Sequence, residues 1–598
     1  MGGDIALTET NRYGCSKSLA RSGIRGRGCR CSQLSAVLDP TIEKGVCLSE
    51  EGVVSSDSSS SVLTVAVAVL IAFAATAAAT DYHVSSSLGD DSWTGLLPDP
   101  NPGMTDGPKQ SLAAAESLLE TVAQPGDRVL LRRGDVWSGE VSLTISSAAG
   151  TAAEPIVLGA YGTGARPVVD RTSTGTIVTV RGAYNEPASR YLRFESLRLT
   201  TTAAPGNRPI GVLILESYRP IDPHHITLAD CEIDHLTHGL TLYEHGHVLE
   251  NSHIHDNHGI PPETGHTQGI YVSGTDMTIR NCLFVNNGKP DSWFDHNLYI
   301  SHGSGYVIER NTIRSSLDGI KLRGSYDTVV RDNVIHDMNL GAISVGGDDQ
   351  GPVENVIIER NLVYDTVDAI TVKSQSGDQV LPSKNIVIRN NIFHSNRGTA
   401  PIGGDYAGYV NVLDPVEDVY LVNNLIANIS DPNERNLYIY AANPTNLQIK
   451  NNILMRTDQT RPMVEFPNTS SHAGTDLDHN LYHYPGGDIL RVAGIDYQDL
   501  AAFHLDYPFQ EQHGVEGDPS LKDPFVDFHL TAASTLAIDT GTSMTGVVDD
   551  DFDQVPRPVD GDDSTTAEWD LGPYEYATAI FADGFESGDT VRWSATLP

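Results

Sequence analysis

VIERNTI (307–313), VVRDNVI (329–335), IIERNLV (357–363), VIRNNIF (387–393), YLVNNLI (420–426) and QIKNNIL (448–454) are six versions of one seven-residue phrase. TLADCEI (227–233), VLENSHI (248–254) and TIRNCLF (278–284) carry it toward the N-terminus, and RFESLRL (193–199) and LDHNLYH (477–483) extend it at either end. From 231 to 452 its fifth position reads Cys231, Ser252, Cys282, Asn311, Asn333, Asn361, Asn391, Asn424, Asn452, at spacings of 21, 30, 29, 22, 28, 30, 33 and 28 residues. Helical repeats keep a fixed period, whereas stacked strand coils absorb loops of unequal length. A second short strand recurs between the phrases: GLTLY (239–243), GIYVS (269–273), NLYIS (297–301), GIKLR (319–323), AISVG (342–346), AITVK (369–373) and NLYIY (436–440). Its period-two alternation sends Ile, Leu and Val inward and the residues between them outward.

This pattern resembles the right-handed parallel β-helix of the pectate-lyase-like superfamily, and the Asn column resembles the asparagine ladder at that fold's tight turn. The resemblance implies an all-β solenoid. The physics is compatible, because Asn tolerates left-handed backbone and stacked amides satisfy one another. Eleven column positions from Leu197 to Asn480 amount to about 48 Å of coil at about 4.8 Å per rung. QSLAAAESLLETV (110–122) has helical spacing and predicts an N-terminal capping helix over the open strand edges. It leads into PGDRVLLRRGDVW (125–137), and with GAYGTGARPVVD (159–170) it resembles the opening segments of secreted bacterial β-helix proteins. AIDTG (537–541), DDDFDQVPRP (549–558) and DLGPYEY (570–576) resemble their closing segment.

The organisation expected is a leader at 1–61, a signal peptide at 62–79, an N-terminal cap and first coils at 80–190, and central coils at 191–485. C-terminal coils and a cap follow at 486–578, then a tail at 579–598. The signal is VLTVAVAVLIAFAATAAA (62–79), an uncharged stretch ending in Ala77, Ala78 and Ala79. It predicts export by a bacterium, to the outside or the periplasm, with no lasting membrane insertion. The chain has 39 Lys and Arg against 78 Asp and Glu, a net charge of −39. Residues 1–61 hold seven of each sign, so the acidity belongs to the exported part. Such a surface excludes a free-standing nucleic-acid binder. Cys231 and Cys282 sit two rungs apart, about 9.6 Å, beyond the ~7 Å reach of a disulfide, and should be buried free thiols.

Aligned, the second strands place Thr241, Tyr271, Tyr299, Lys321, Ser344, Thr371 and Tyr438 in one outward column. Two residues on run Tyr243, Ser273, Ser301, Arg323, Gly346, Lys373 and Tyr440. The Tyr271, Tyr299, Lys321, Arg323 patch is a cationic and aromatic exception on an acidic protein. Uronate polymers break by β-elimination, in which a base takes the proton α to a carboxylate whose charge must be neutralised. Tyr299 is the expected base or acid, Lys321 and Arg323 neutralise the carboxylate, and His296 is a partner or alternative base. Tyr271, His302, Lys373, Asn297 and Tyr438 are expected to hold substrate. HNLYIS (296–301) followed by IKLR (320–323) resembles a pairing in secreted β-helix proteins of the lyase type. Calcium is the candidate ion, with Asp295, Asp318, Asp348 and Asp349 as weak candidate ligands, and no other cofactor is indicated.

The sequence thus predicts a monomeric secreted lyase acting on an acidic polysaccharide. Three alternatives stay open: a glycoside hydrolase, a uronate C5-epimerase and a glycan-binding surface protein. The hydrolase is disfavoured because the polygalacturonase motif order is absent. DPHH (222–225) is similar to the Asp-Pro-His of mannuronan epimerases but lies outside the groove strands.

Overall fold

The computed structural model describes residues 78–577 apart from 216–218, 259–265, 290, 291, 293, 349–350, 374–380, 399–406, 414, 430, 432, 458–459 and 563. The leader, all of the signal segment except Ala78 and Ala79, and the tail lie outside the described residues. Among those described, no helix is long and apolar enough to cross a membrane.

The chain winds into a parallel β-helix. Through the central coils each turn contributes one strand to each of three sheets, and each of these strands pairs in parallel with its equivalent in the next turn. Of the pairings between strands in the described residues, only Leu490–Val492 with Ile495–Tyr497 is antiparallel. The groove sheet runs through the strands His238–His245, Gln268–Thr275, His296–Ser304, Asp318–Arg331, Val334–Gly346, Leu362–Val372, Gly408–Val412 and Arg435–Ile439. Three of these, Asp318–Arg331, Val334–Gly346 and Leu362–Val372, pass through a corner and serve a neighbouring sheet as well.

Register explains why the interior is continuous. Inward residues of the groove sheet stack as Ile270, Leu298, Ile320, Ile343, Ile370, Val410, Leu437 and Val464, each paired with the next. The facing wall stacks Ile308, Val330, Ile358, Ile388, Leu421, Ile449 and Leu477. All are buried, and each such side chain contributes about 1.5–3 kcal/mol. The predicted capping helix spans Leu112–Thr121, with Ser111 Oγ accepting from Ala114 N at 3.1 Å and with Leu112, Ala115, Leu118 and Leu119 buried.

The amide ladder is present from Asn311 to Asn480. Asn311, Asn333, Asn361, Asn391, Asn424 and Asn452 each donate Nδ2–H to Oδ1 of the next Asn at 3.0–3.1 Å. Each also donates to a carbonyl one coil back, such as Ile308 O for Asn333 and Val330 O for Asn361. One expectation is corrected: the ladder residues themselves do not adopt left-handed backbone. The residue before each does, at Arg310, Asp332, Arg360, Asn390, Asn423 and Asn451 (φ +50 to +56). The preceding residue makes the turn and thereby swings the Asn side chain inward, where it has no water to bond and must use backbone partners. Cys231 and Cys282 are free and buried, and burial pushes their thiols up to about 11 and about 12.

Candidate active site

Thr241, Tyr271, Tyr299, Lys321, Ser344 and Thr371 are successive register partners. The next partner of Thr371 is Asn411, which then pairs with Tyr438. The column expected to run straight from Thr371 to Tyr438 is therefore one coil longer. Tyr438 lies outside the groove and packs instead against Tyr440 (ring centroids 6.3 Å apart, 12°) and under the Arg435 guanidinium, 5.6 Å from the ring.

A groove of about 720 Å³ follows this face, lined by Tyr271, His296, Tyr299, Lys321, Arg323 and Lys373 among others. A second hollow of about 440 Å³ adjoins it, lined by Tyr271, Ser273, Tyr299, Ser301, His302 and Arg323. Tyr271, Tyr299 and Arg323 line both, so they stand where the two spaces meet. Tyr243, Tyr271 and Tyr299 form an aromatic row with centroids 5.9 and 5.5 Å apart.

Tyr299 is held from two sides. Arg323 Nη1 donates to its Oη at 2.9 Å, and the His296 ring stacks on its ring at 5.2 Å and 16°. Arg323 is fixed in turn by Asp348, whose Oδ2 accepts from Nε at 2.6 Å. Asp348 is buried and also meets His302 Nε2 at 3.0 Å, while His302 Nδ1 is 2.7 Å from Ser301 Oγ. Although burial opposes its charge, the bonds to Tyr299 and Asp348 hold the Arg323 guanidinium above its usual range.

Lys321 is the register neighbour of Tyr299. Burial lowers its pKa, nearby Asp318 opposes that shift, and Lys373 and Arg323 add to it. His296 is 2% exposed, and burial likewise lowers its pKa, so the imidazole is neutral near pH 7. Its Nδ1 lies 3.3 Å from Asp318 Oδ2, a close contact poorly aligned for a hydrogen bond. Asp318 is kept ionised despite its burial by His296, Lys321 and the Gly341 N–H, which donates to Oδ1 at 3.0 Å.

Asn297 is not in the groove. It is fully buried, its Oδ1 accepting from Asn287 Nδ2 at 2.9 Å at the end of a short inner amide ladder begun by Asn257. The expected cation ligands do not converge either. Asp295 is buried and bonded to Thr267 and Lys289, Asp318 faces His296, and Asp348 is ion-paired with Arg323 and His302. Asp349 lies outside the described residues. Groove residues missed by sequence reasoning include His238, Gln268, Phe294 and Asp368. Three of them share one register line, His238 with Gln268, Gln268 with His296, His296 with Asp318, and Gly341 with Asp368. A polar residue recurring three positions before the Thr, Tyr and Lys column was the available signal.

The description "Right handed beta helix region" matches residues 210–378 and 268–481. No curated protein matches the chain. Solved structures similar to it include a GH136 lacto-N-biosidase from Eubacterium ramulus, at 15% identity over 73% of this chain and 66% of that one (TM-score 0.36). Another is the PL6 family alginate lyase AlyGC, at 15% identity over 70% of this chain and 53% of that one (TM-score 0.46). A third is the A-module of a mannuronan C-5 epimerase from Azotobacter vinelandii, at 14% identity over 66% of this chain and 92% of that one (TM-score 0.38). The match thus spans about two thirds of the first protein's length and about half of the second's.

Proposed function

From a right-handed parallel β-helix carrying this groove, we propose a secreted polysaccharide lyase that cleaves a uronate-containing polymer by β-elimination. The observation that carries the reading is the Tyr299, Lys321, Arg323 cluster, on adjacent rungs where two hollows meet. On a chain of net charge −39 those cations, with Lys373, make the groove a local place for an anion. The Tyr243, Tyr271, Tyr299 row offers faces on which sugar rings stack.

The uronate carboxylate sits against Lys321, Lys373 and Arg323, which neutralise it and acidify the adjacent C–H. Lys321 loses its proton more readily than a free lysine, and an arriving carboxylate holds that proton in place. Tyr299, its oxygen already accepting the Arg323 N–H, exchanges the proton with substrate, and neutral His296 is the alternative acceptor. The C–H electrons become the C4–C5 double bond, the C4–O bond breaks, and the departing oxygen is protonated. In this reading the polymer is degraded outside the cell by a single copy of the chain.

The test is absorbance of the conjugated product when the exported form is incubated with a panel of uronate polymers, with and without calcium. The expected result is a rise lost in Tyr299→Phe and in Lys321→Ala. New reducing ends without absorbance would overturn it in favour of a hydrolase using Asp318 and Asp368, which both line the groove two rungs apart. Solvent hydrogen exchange without cleavage would favour an epimerase, and binding alone a glycan-binding protein.

A further inference from the structure

Several surface histidines of this chain take a carboxylate partner. His235, His255, His258, His336, His479, His513 and His529 each lie within 4.0 Å of an Asp or Glu oxygen. His224, His225 and His245 do not: among the described residues none of the three makes an ion pair, and they face one another. Nδ1 of His224 is 2.7 Å from Nδ1 of His225. One ligand nitrogen from each of the three lies within 4.8 Å of the other two. The His224 and His245 rings are parallel at 4.9 Å and 13°, and His225 stands nearly perpendicular to both, at 82° and 88°.

The arrangement is built by the backbone. His224 opens the strand His224–Ala229, and its register partner is His245, the last residue of the groove strand His238–His245. His225 is in the left-handed region (φ +54), which sends its ring back toward its neighbours. Gly246 packs beneath it: a Cβ there would come within 2.9 Å of the His225 ring, so only glycine fits. Tyr191 also stacks on that ring, at 4.8 Å and 29°. A nearby histidine, His247, is excluded because both of its nitrogens are used, Nδ1 accepting from Ile226 N at 3.1 Å and Nε2 donating to Tyr243 O at 2.8 Å. Burial lowers the pKa of His224 and His225, which favours the uncharged form that can donate a lone pair.

We propose that His224, His225 and His245 form a three-imidazole site for a divalent transition-metal ion such as Zn²⁺, Cu²⁺ or Ni²⁺. Nitrogen ligands at about 2.0–2.1 Å from a tetrahedral ion lie about 3.3 Å apart, a spacing that nitrogens already within 4.8 Å of one another reach by side-chain rotation. With three nitrogens and no carboxylate, the donor set selects these ions over Ca²⁺ and Mg²⁺, which prefer oxygen. The fourth position is left to solvent. The site joins two successive coils at the end of the strand that carries Thr241 and Tyr243.

The experiment uses the full chain with its thiols alkylated, stripped by chelator and titrated with Cu²⁺ and separately with Zn²⁺. One equivalent is expected to bind at micromolar metal or tighter, with a Cu²⁺ electron paramagnetic resonance spectrum split by three nitrogens. Affinity should fall at least 100-fold in His245→Gln and in His224→Gln, while His513→Ala, at the separate Asp478, His479, His513 cluster, leaves it unchanged. Circular dichroism establishes that each variant is folded. Absence of binding by folded wild type, wild-type affinity retained in either glutamine variant, or loss in His513→Ala would overturn the proposal.

Discussion

Arg323 works with two different nitrogens at once, Nε on Asp348 and Nη1 on Tyr299. A lysine at this position keeps the charge but has one nitrogen and no fork, so it cannot orient the phenol while staying anchored. Arg323→Lys is therefore expected to lower kcat by about 10²-fold with a much smaller change in KM, measured on whichever uronate polymer gives product. A loss confined to KM would reduce Arg323 to a counter-charge. Tyr271, Tyr299, Lys321 and Arg323 were legible in the sequence because alternation holds from Leu298 to Leu322 and its equivalents, so counting by two places them. Asn297 was not. His296, Asn297 and Leu298 are all buried in succession, since the chain is still leaving its corner there and the period of two has not begun. The same irregular start hid His238, Gln268 and Asp368. Asn411 holds the outward position of a Val410, Asn411, Val412 alternation like that of the other rungs, but Gly408 and Tyr409 before it are buried as well, so the whole strand is covered.

The asparagine ladder is an element that must end somewhere, and it ends on an acid. Asn480 Nδ2 donates to Glu511 Oε1 at 2.7 Å, and Tyr482 Oη donates to the same oxygen at 2.6 Å. Glu511 is fully buried, and burial pushes its carboxyl up to about 8 although those bonds favour the charge. The unfolded carboxyl titrates near ~4.3. Its contribution to stability is therefore complete below that value and is lost as pH rises through about 8, where the folded protein must bear a buried charge. Glu511→Gln removes the titration. The unfolding free energies of wild type and variant, from denaturant titrations, should differ little at pH 5 and diverge in favour of the glutamine by pH 8, by on the order of a few kcal/mol. Asp570, also raised to about 8 by burial, tilts both proteins alike, so the difference isolates Glu511. Parallel pH curves would show that Glu511 stays ionised throughout. The ladder itself was plain in the repeated phrase. Its terminus was not, because Glu511 lies 31 residues beyond Asn480 with no copy of the phrase to carry it there.

At the scale of the whole molecule the charge of −39 sets two fields against each other. A polyanionic chain approaching this surface is repelled at long range, yet within the groove it meets Lys321, Arg323 and Lys373. Salt separates the two, because screening acts first on distant, exposed charges: the Debye length falls from about 30 Å at ~0.01 M to about 8 Å at ~0.15 M, while half-buried pairs are screened less. For a protein that binds polyanions with a basic surface, added salt only weakens association. Here kcat/KM for a long uronate polymer is expected to rise as salt increases from about 0.01 M to about 0.15 M, then to fall at higher concentrations as the groove pairs are themselves screened. A short oligomer feels less of the long-range field and should show a flatter rise. Initial rates at substrate far below KM, across a salt series and with two chain lengths, measure this directly. A monotonic decline for both lengths would mean that the groove cations dominate the field at all distances and that the acidic exterior has no part in substrate capture.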